Sequence, residues 1–158
     1  MSRPRRKPTG LPIVNDKAAA IDIGSRFHVV AVPPELCEEP VQTFQAFTAD
    51  LERMANWIVS LGIKTVAMES TGVYWIPVFE QLTERGFEVK LVDPRQLKHV
   101  PGRKTDVLDC QWIQQLHTFG LLAAAFRPAD QICVLRSYLR QRGMLVRYAA
   151  HHIQPMQK

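Results

Sequence analysis

Lys17-Ala18-Ala19-Ala20-Ile21-Asp22-Ile23-Gly24 and, after Ser25-Arg26, Phe27-His28-Val29-Val30-Ala31-Val32 decide how this chain folds. Two apolar runs joined by a short glycine-containing turn read as a β-hairpin. Pro33-Pro34 ends the second run, because proline has no N–H to give a strand ladder. One residue breaks the apolar pattern: Asp22 stands between Ile21 and Ile23 in what is otherwise a core strand. A carboxylate there costs several kcal/mol unless it is paired or bound to a metal.

The pattern continues outward from the hairpin. Val41-Gln42-Thr43-Phe44-Gln45-Ala46-Phe47 alternates with period two and predicts a third strand, completing an antiparallel meander. The period then lengthens. Leu51, Met54, Ala55 and Ile58 recur at helical spacing, with Thr48 placed to cap, Asp50 and Glu52 in the first turn and Gly62 at the end. Lys64 to Glu69 reads as a short buried strand. A helix runs from about Val73 to Arg85, its apolar face made by Trp75, Ile76, Phe79 and Leu82, with Gly86 at its end. Phe87 to Val92 is another strand. Strands that alternate with helices imply parallel pairing through crossovers. A helix from Asp106 to about Leu122 and a last one starting near Asp130 complete the order β-β-β-α-β-α-β-α plus a terminal helix. The fold class is α/β with a mixed sheet.

The helix at Asp106 is entered through Arg103-Lys104-Thr105-Asp106-Val107-Leu108-Asp109-Cys110. Thr105 is placed as its N-cap, and Asp106 and Asp109 lie about one turn apart on one face. Acids in a first turn complement the helix dipole. Two carboxylates on one face also hold a hard divalent cation. What separates these readings is whether a sheet brings further acids close. Asp22 and Glu69 qualify: if the first and fourth strands are neighbours, these two lie side by side. The Asp106 helix then needs only to pack its first turn at the same edge. Four ionised carboxylates repel one another and require a compensating cation. Oxygen-only ligation selects Mg2+ or Mn2+ over zinc, and a two-metal site suits phosphodiester chemistry.

Composition sets the frame. The 158 residues suit one domain, and a 46% hydrophobic content supplies a core, which excludes global disorder. A net charge of +5 fits a polyanionic partner. Cys37, Cys110 and Cys133 are scattered and odd in number, as expected of free thiols in a reducing compartment. No apolar run reaches membrane-spanning length. Met1 to Asp16 carries Arg3, Arg5, Arg6 and Lys7 among prolines and lacks the apolar run of a secretory signal. It reads as a disordered basic tail, either touching nucleic acid or simply solvated. The connection from Pro94 to Lys104 holds Arg95, Lys98, His99, Arg103 and Lys104, a phosphate-contacting loop or an ordinary exposed one. In the last helix Ile132, Leu135, Leu139, Val146, Ala149 and Ile153 follow alternating steps of three and four, with Arg142 on the same stripe. That is the start of a coiled coil or an amphipathic helix packed on its own domain.

Four blocks carry a family resemblance: Ile21-Asp22-Ile23-Gly24, Met68-Glu69-Ser70-Thr71-Gly72-Val73-Tyr74-Trp75, Val92-Asp93-Pro94 and Lys104-Thr105-Asp106-Val107-Leu108-Asp109. Together they resemble the N-terminal domain of the DEDD transposases of the insertion-sequence one-ten family, across about Lys17 to Ile153. The resemblance implies a RuvC-like, ribonuclease H-like fold. It implies that Asp22, Glu69, Asp106 and Asp109 are catalytic and bind Mg2+ or Mn2+. It further implies action on DNA phosphodiesters in transposition, guided by a structured RNA, in the bacterial cytoplasm at the nucleoid. Cys110 departs from the family's usual alanine. Family members continue through a coiled coil into a second domain with a catalytic serine. That domain is expected to be missing here, whether by excision or truncation, leaving strand exchange incomplete. The expected organisation is a basic tail over 1–16, the DEDD domain over 17–125 and the terminal helix over 126–158, which also serves homo-oligomerisation. Arg95, Lys98, Arg103 and Lys104 are the expected nucleic-acid contacts.

Two other readings compete. Asp22-x-Gly24-Ser25 resembles the first phosphate loop of the actin-like and sugar-kinase ATPases, which share the core fold. A nucleic-acid-binding, dimerising remnant without catalysis is the other. Among smaller signals, Trp75 reads as core rather than as a base-stacking ring beside Tyr74, His28 as a surface residue, and Ser70 and Thr71 as caps of the following helix rather than phosphate ligands.

Overall fold

The structure, a computed structural model, describes residues 10–70, 72–93 and 106–157. Its centre is a five-stranded sheet in the order β3-β2-β1-β4-β5, made of β1 (Ala18–Ile23), β2 (Phe27–Ala31), β3 (Val41–Gln45), β4 (Thr65–Glu69) and β5 (Glu88–Val92). β1, β2 and β3 form the expected antiparallel meander, and β4 and β5 add in parallel beside β1. Parallel neighbours cannot be joined by a tight turn. Helix α1 (Thr48–Ser60) accordingly connects β3 to β4, and α2 (Trp75–Glu84) connects β4 to β5. α3 (Asp106–Thr118) and α4 (Asp130–Met156) follow. The mixed sheet and helix order are those of the ribonuclease H-like class.

Strand alternation sorts the core into two layers. Ala19, Ile21, Val30, Val66, Met68 and Leu91 point to one face and pack with Leu51, Met54, Ile58, Val78 and Leu82 of α1 and α2. Ala20, Val29, Ala31, Ala67 and Val92 point to the other, against Cys110 and Ile113 of α3. Alanines dominate this second face, so α3 lies close to the strands. The four apolar residues expected in α1 are its buried ones. Gly62, with φ +68, closes that helix in the left-handed region, as a C-terminal glycine does.

Several local expectations are corrected. Thr48 begins α1 but does not cap it; Phe47 holds the cap position without a side-chain bond. β3 stops at Gln45 rather than Phe47, and α3 stops at Thr118, ahead of Gly120. Val78, absent from the expected apolar face of α2, is fully buried. His28 is not a surface residue: its pairing with Ile23 turns it toward the α1–α2 layer, where it is 2% exposed. Burial lowers its pKa, and among the described residues its Nδ1 has no hydrogen-bond partner. Val14 and Asn15, assigned by sequence to the tail, are tied down. Their backbone N–H groups donate to the Thr118 carbonyl at 2.9 and 3.0 Å.

The chain divides into two compact units, Met1–Ala125 and Phe126–Lys158. The second is α4, 27 residues with none buried, entered through an Arg127–Asp130 ion pair of 3.0 Å. Among the described residues no helix is long and apolar enough to cross a membrane.

Candidate functional site

Two of the four expected acids are neighbours by strand register. β1 and β4 pair Ala20↔Ala67 and Ile21↔Met68. One residue further, the same register sets Asp22 beside Glu69, across a strand spacing of about 4.8 Å. Both follow the alternation onto the face that α3 covers, and both are half-buried. The anomaly of Asp22 is thereby explained: it occupies the open end of a central strand rather than its sealed middle.

α3 is locked against these strands along its length. Cys110 Sγ donates to the carbonyls of Ala20 and Val29, at 3.3 and 3.0 Å. Gln114 Nε2 donates to the Ala18 carbonyl at 3.1 Å. His117 Nε2 lies 2.9 Å from Thr65 Oγ1, whose own proton goes to the Glu88 carbonyl at 3.0 Å. The hydroxyl has one proton to give, so it accepts from His117, which fixes the Nε2–H tautomer. Taken in order, these contacts run from the middle of β1 through its first residue to the start of β4. α3 therefore lies antiparallel to both strands, and its first turn sits at the end that carries Asp22 and Glu69. Asp109, half-buried, belongs to that turn. Asp106 opens the helix, but its side chain lies outside the described residues.

The electrostatics of the seam follow from burial. Burial pushes the Cys110 thiol up to about 12, so it stays protonated and inert. Burial, with Lys90 adding repulsion, brings His117 down to about 4. Neither group offers a charge at neutral pH. Cys110, the soft donor next to Asp109, spends its proton on two backbone carbonyls. The ligands this end can offer are hard carboxylate oxygens, which suit Mg2+ or Mn2+. Among the described residues no group of three or more His, Cys, Asp or Glu side chains stands close enough to hold a metal ion.

Nearby residues take clear structural parts. Ser70 does not cap a helix: its Oγ and N–H both donate to the Val92 carbonyl at 3.1 Å, clamping β4 to β5 just past Glu69. Asp93, which the sequence motif contains without a role, leaves the end of β5 half-buried at this same side of the sheet. Trp75 is partly buried against the core and meets Phe79 edge-on, with centroids 5.7 Å apart. Its indole donates to the Gly72 carbonyl at 3.1 Å. Gly24 serves the hairpin: a Cβ there would meet the Phe27 carbonyl oxygen at 2.5 Å, and its N–H donates to that oxygen at 3.0 Å. Turn geometry thus explains the glycine of the Asp22-x-Gly24-Ser25 motif without a phosphate. Arg95, Lys98, Arg103, Lys104, Thr71 and Thr105 lie outside the described residues.

Against known families, residues 19–158 match the model described as "Transposase", that of the DEDD transposases of the insertion-sequence one-ten type. No curated protein matches the chain.

Proposed function

Since the chain belongs to the DEDD transposase family of the insertion-sequence one-ten type, we propose that its acids form a metal-binding site for DNA strand chemistry in transposition. Asp22, Glu69, Asp106 and Asp109 would hold Mg2+ or Mn2+. When bound, the metal supplies phosphate neutralisation and activation of an attacking oxygen. The chain's own share is to position. The observation that carries the reading is the β1–β4 register, which makes Asp22 and Glu69 neighbours on the face that α3 closes.

Arg95, Lys98, Arg103 and Lys104 are the proposed contacts for DNA and guide-RNA phosphates, entering directly before the acids of α3. Cations there offset the repulsion between a phosphate and the carboxylates. α4 is the proposed self-association element. Ile132, Leu135, Leu139, Val146 and Ile153 are each about half exposed and recur in coiled-coil steps.

The test is Mn2+ titration followed by electron paramagnetic resonance, on the whole chain and on Asp22→Asn, Glu69→Gln and Asp109→Asn. Each substitution should weaken Mn2+ binding at least about tenfold, within the range seen when a ligand or its support is lost. Equal binding by all four proteins would refute the site. Magnesium-dependent processing of transposon-end DNA, with and without RNA, then tests the reaction.

A further inference from the structure

Beside the acids, where β2 begins and β3 ends, lies an open cleft of about 310 Å³ lined by Ser25, Arg26, Phe27, Gln45, Ala46 and Phe47. Its position follows from the sheet. Asp22 pairs with Val29, and Phe27, two residues from Val29, shares their face one pair nearer the hairpin. Phe27 in turn pairs with Gln45. Glu69, Asp22, Phe27 and Gln45 therefore share one face in that order across β4, β1, β2 and β3, with neighbouring strands about 4.8 Å apart and Phe27 diagonal to Asp22 at about 7–8 Å. A strand with a phosphate at the acids passes this cleft within a nucleotide or two.

The lining has the chemistry of a base platform. Phe27 is 47% exposed and Phe47 69% exposed. The Arg26 guanidinium carbon stands 5.8 Å from the Phe27 ring centroid. Gln45 offers both a donor and an acceptor, and none of the six residues is acidic. Single exposed rings are ordinary on a protein surface; two rings and a guanidinium around one cleft are a recognisable stacking arrangement. The frame is rigid. Gly24 N–H donates to the Phe27 carbonyl at 3.0 Å, and Ala46 N–H to the Arg26 carbonyl at 3.1 Å. A volume of about 310 Å³ leaves room for a planar base.

We propose that this cleft receives an unpaired nucleobase of the strand whose phosphate approaches the acids, stacked on Phe27 or Phe47 with Arg26 against the adjoining phosphate. The inference rests on the transposase reading and specifies how its substrate strand is held.

The experiment uses residues 1–158 with single-stranded oligonucleotides, in matched DNA and RNA versions, by fluorescence anisotropy at several salt concentrations. Alanine in place of the ring that carries the base, Phe27→Ala or Phe47→Ala, should weaken binding by about 5- to 150-fold, the range set by loss of one stacked base. Their salt slopes should stay unchanged, because no phosphate contact is lost. Arg26→Ala should flatten the slope. Phe27→Leu, which keeps the apolar bulk, should bind like Phe27→Ala while melting like the parent. One abasic position in the oligonucleotide should reproduce the loss and add nothing to it in the Phe variants. 5-Iodouracil at that position should photocrosslink to Phe27 or Phe47. Binding with a normal salt slope, indifferent to both Phe changes and to every abasic position, overturns the cleft alone. No nucleic-acid binding by the parent chain would overturn the transposase reading with it. The DNA and RNA arms identify which strand is held.

Discussion

Acidification should loosen α3 from the sheet through one histidine, and the size of the effect follows from where that histidine lies. His117 is 1% exposed and hydrogen-bonded to Thr65, with Nδ1 left without a partner among the described residues. Its pKa is about 4 in the folded chain, against an ordinary 6.5. Between those values the unfolded chain binds a proton that the folded chain refuses. The stability due to neutral His117 is therefore complete above pH 6.5 and is lost as pH falls toward 4. Each pH unit in that window costs about 1.4 kcal/mol. At pH 5 the loss is about 2 kcal/mol, and His28, lowered in the same direction by burial, adds to it. The assay is urea unfolding followed by circular dichroism from pH 7.5 to 4.5, on the parent and on His117→Gln. Glutamine still donates from its side-chain nitrogen but does not titrate. The variant is expected to lose some stability at pH 7.5, yet to fall about 2 kcal/mol less than the parent on going to pH 5. Parallel pH curves for the two proteins would refute the reasoning.

Further outcomes follow from other contacts. At pH 8 Cys110 should resist a thiol reagent in the native protein while Cys37 and Cys133 react, since it is buried and its pKa lies near 12; three equally fast thiols in the folded state would contradict this seam. Gly24→Ala should destabilise by about 1–3 kcal/mol, because the Phe27 oxygen 2.5 Å from the new Cβ is backbone; an unchanged urea midpoint would show that the hairpin can shift. Met54→Ala should cost about 2–5 kcal/mol as a cavity beneath α1, since Met54 is fully buried; a loss under 1 kcal/mol would mean that layer repacks. Leu139→Glu in α4 should lower the oligomeric state in sedimentation velocity, if the parent associates through that stripe; an unaltered distribution would remove α4 from the interface.

The strand and helix order was legible because local periodicity reports which face of each element is apolar. Leu51, Met54, Ala55 and Ile58 are buried in α1 as their spacing requires, and Asp22 was conspicuous because charge is rare within an apolar strand. The family motifs also reside in the sequence, in short blocks that need no contacts to be recognised. What they leave open is adjacency between residues far apart along the chain. That Asp22 lies beside Glu69 depends on β1 pairing with β4 rather than with β3, a choice made by the α1 crossover and the two-sided core. His28 illustrates the limit most directly. Its side of the strand follows from alternation, but whether that side meets water or a helix depends on α1 and α2, whose residues begin twenty positions later. Likewise the antiparallel course of α3 is set by Cys110, Gln114 and His117 finding partners in β1, β2 and β4. Polar groups sealed between a helix and a sheet must satisfy one another, and only the assembled layers determine which ones meet.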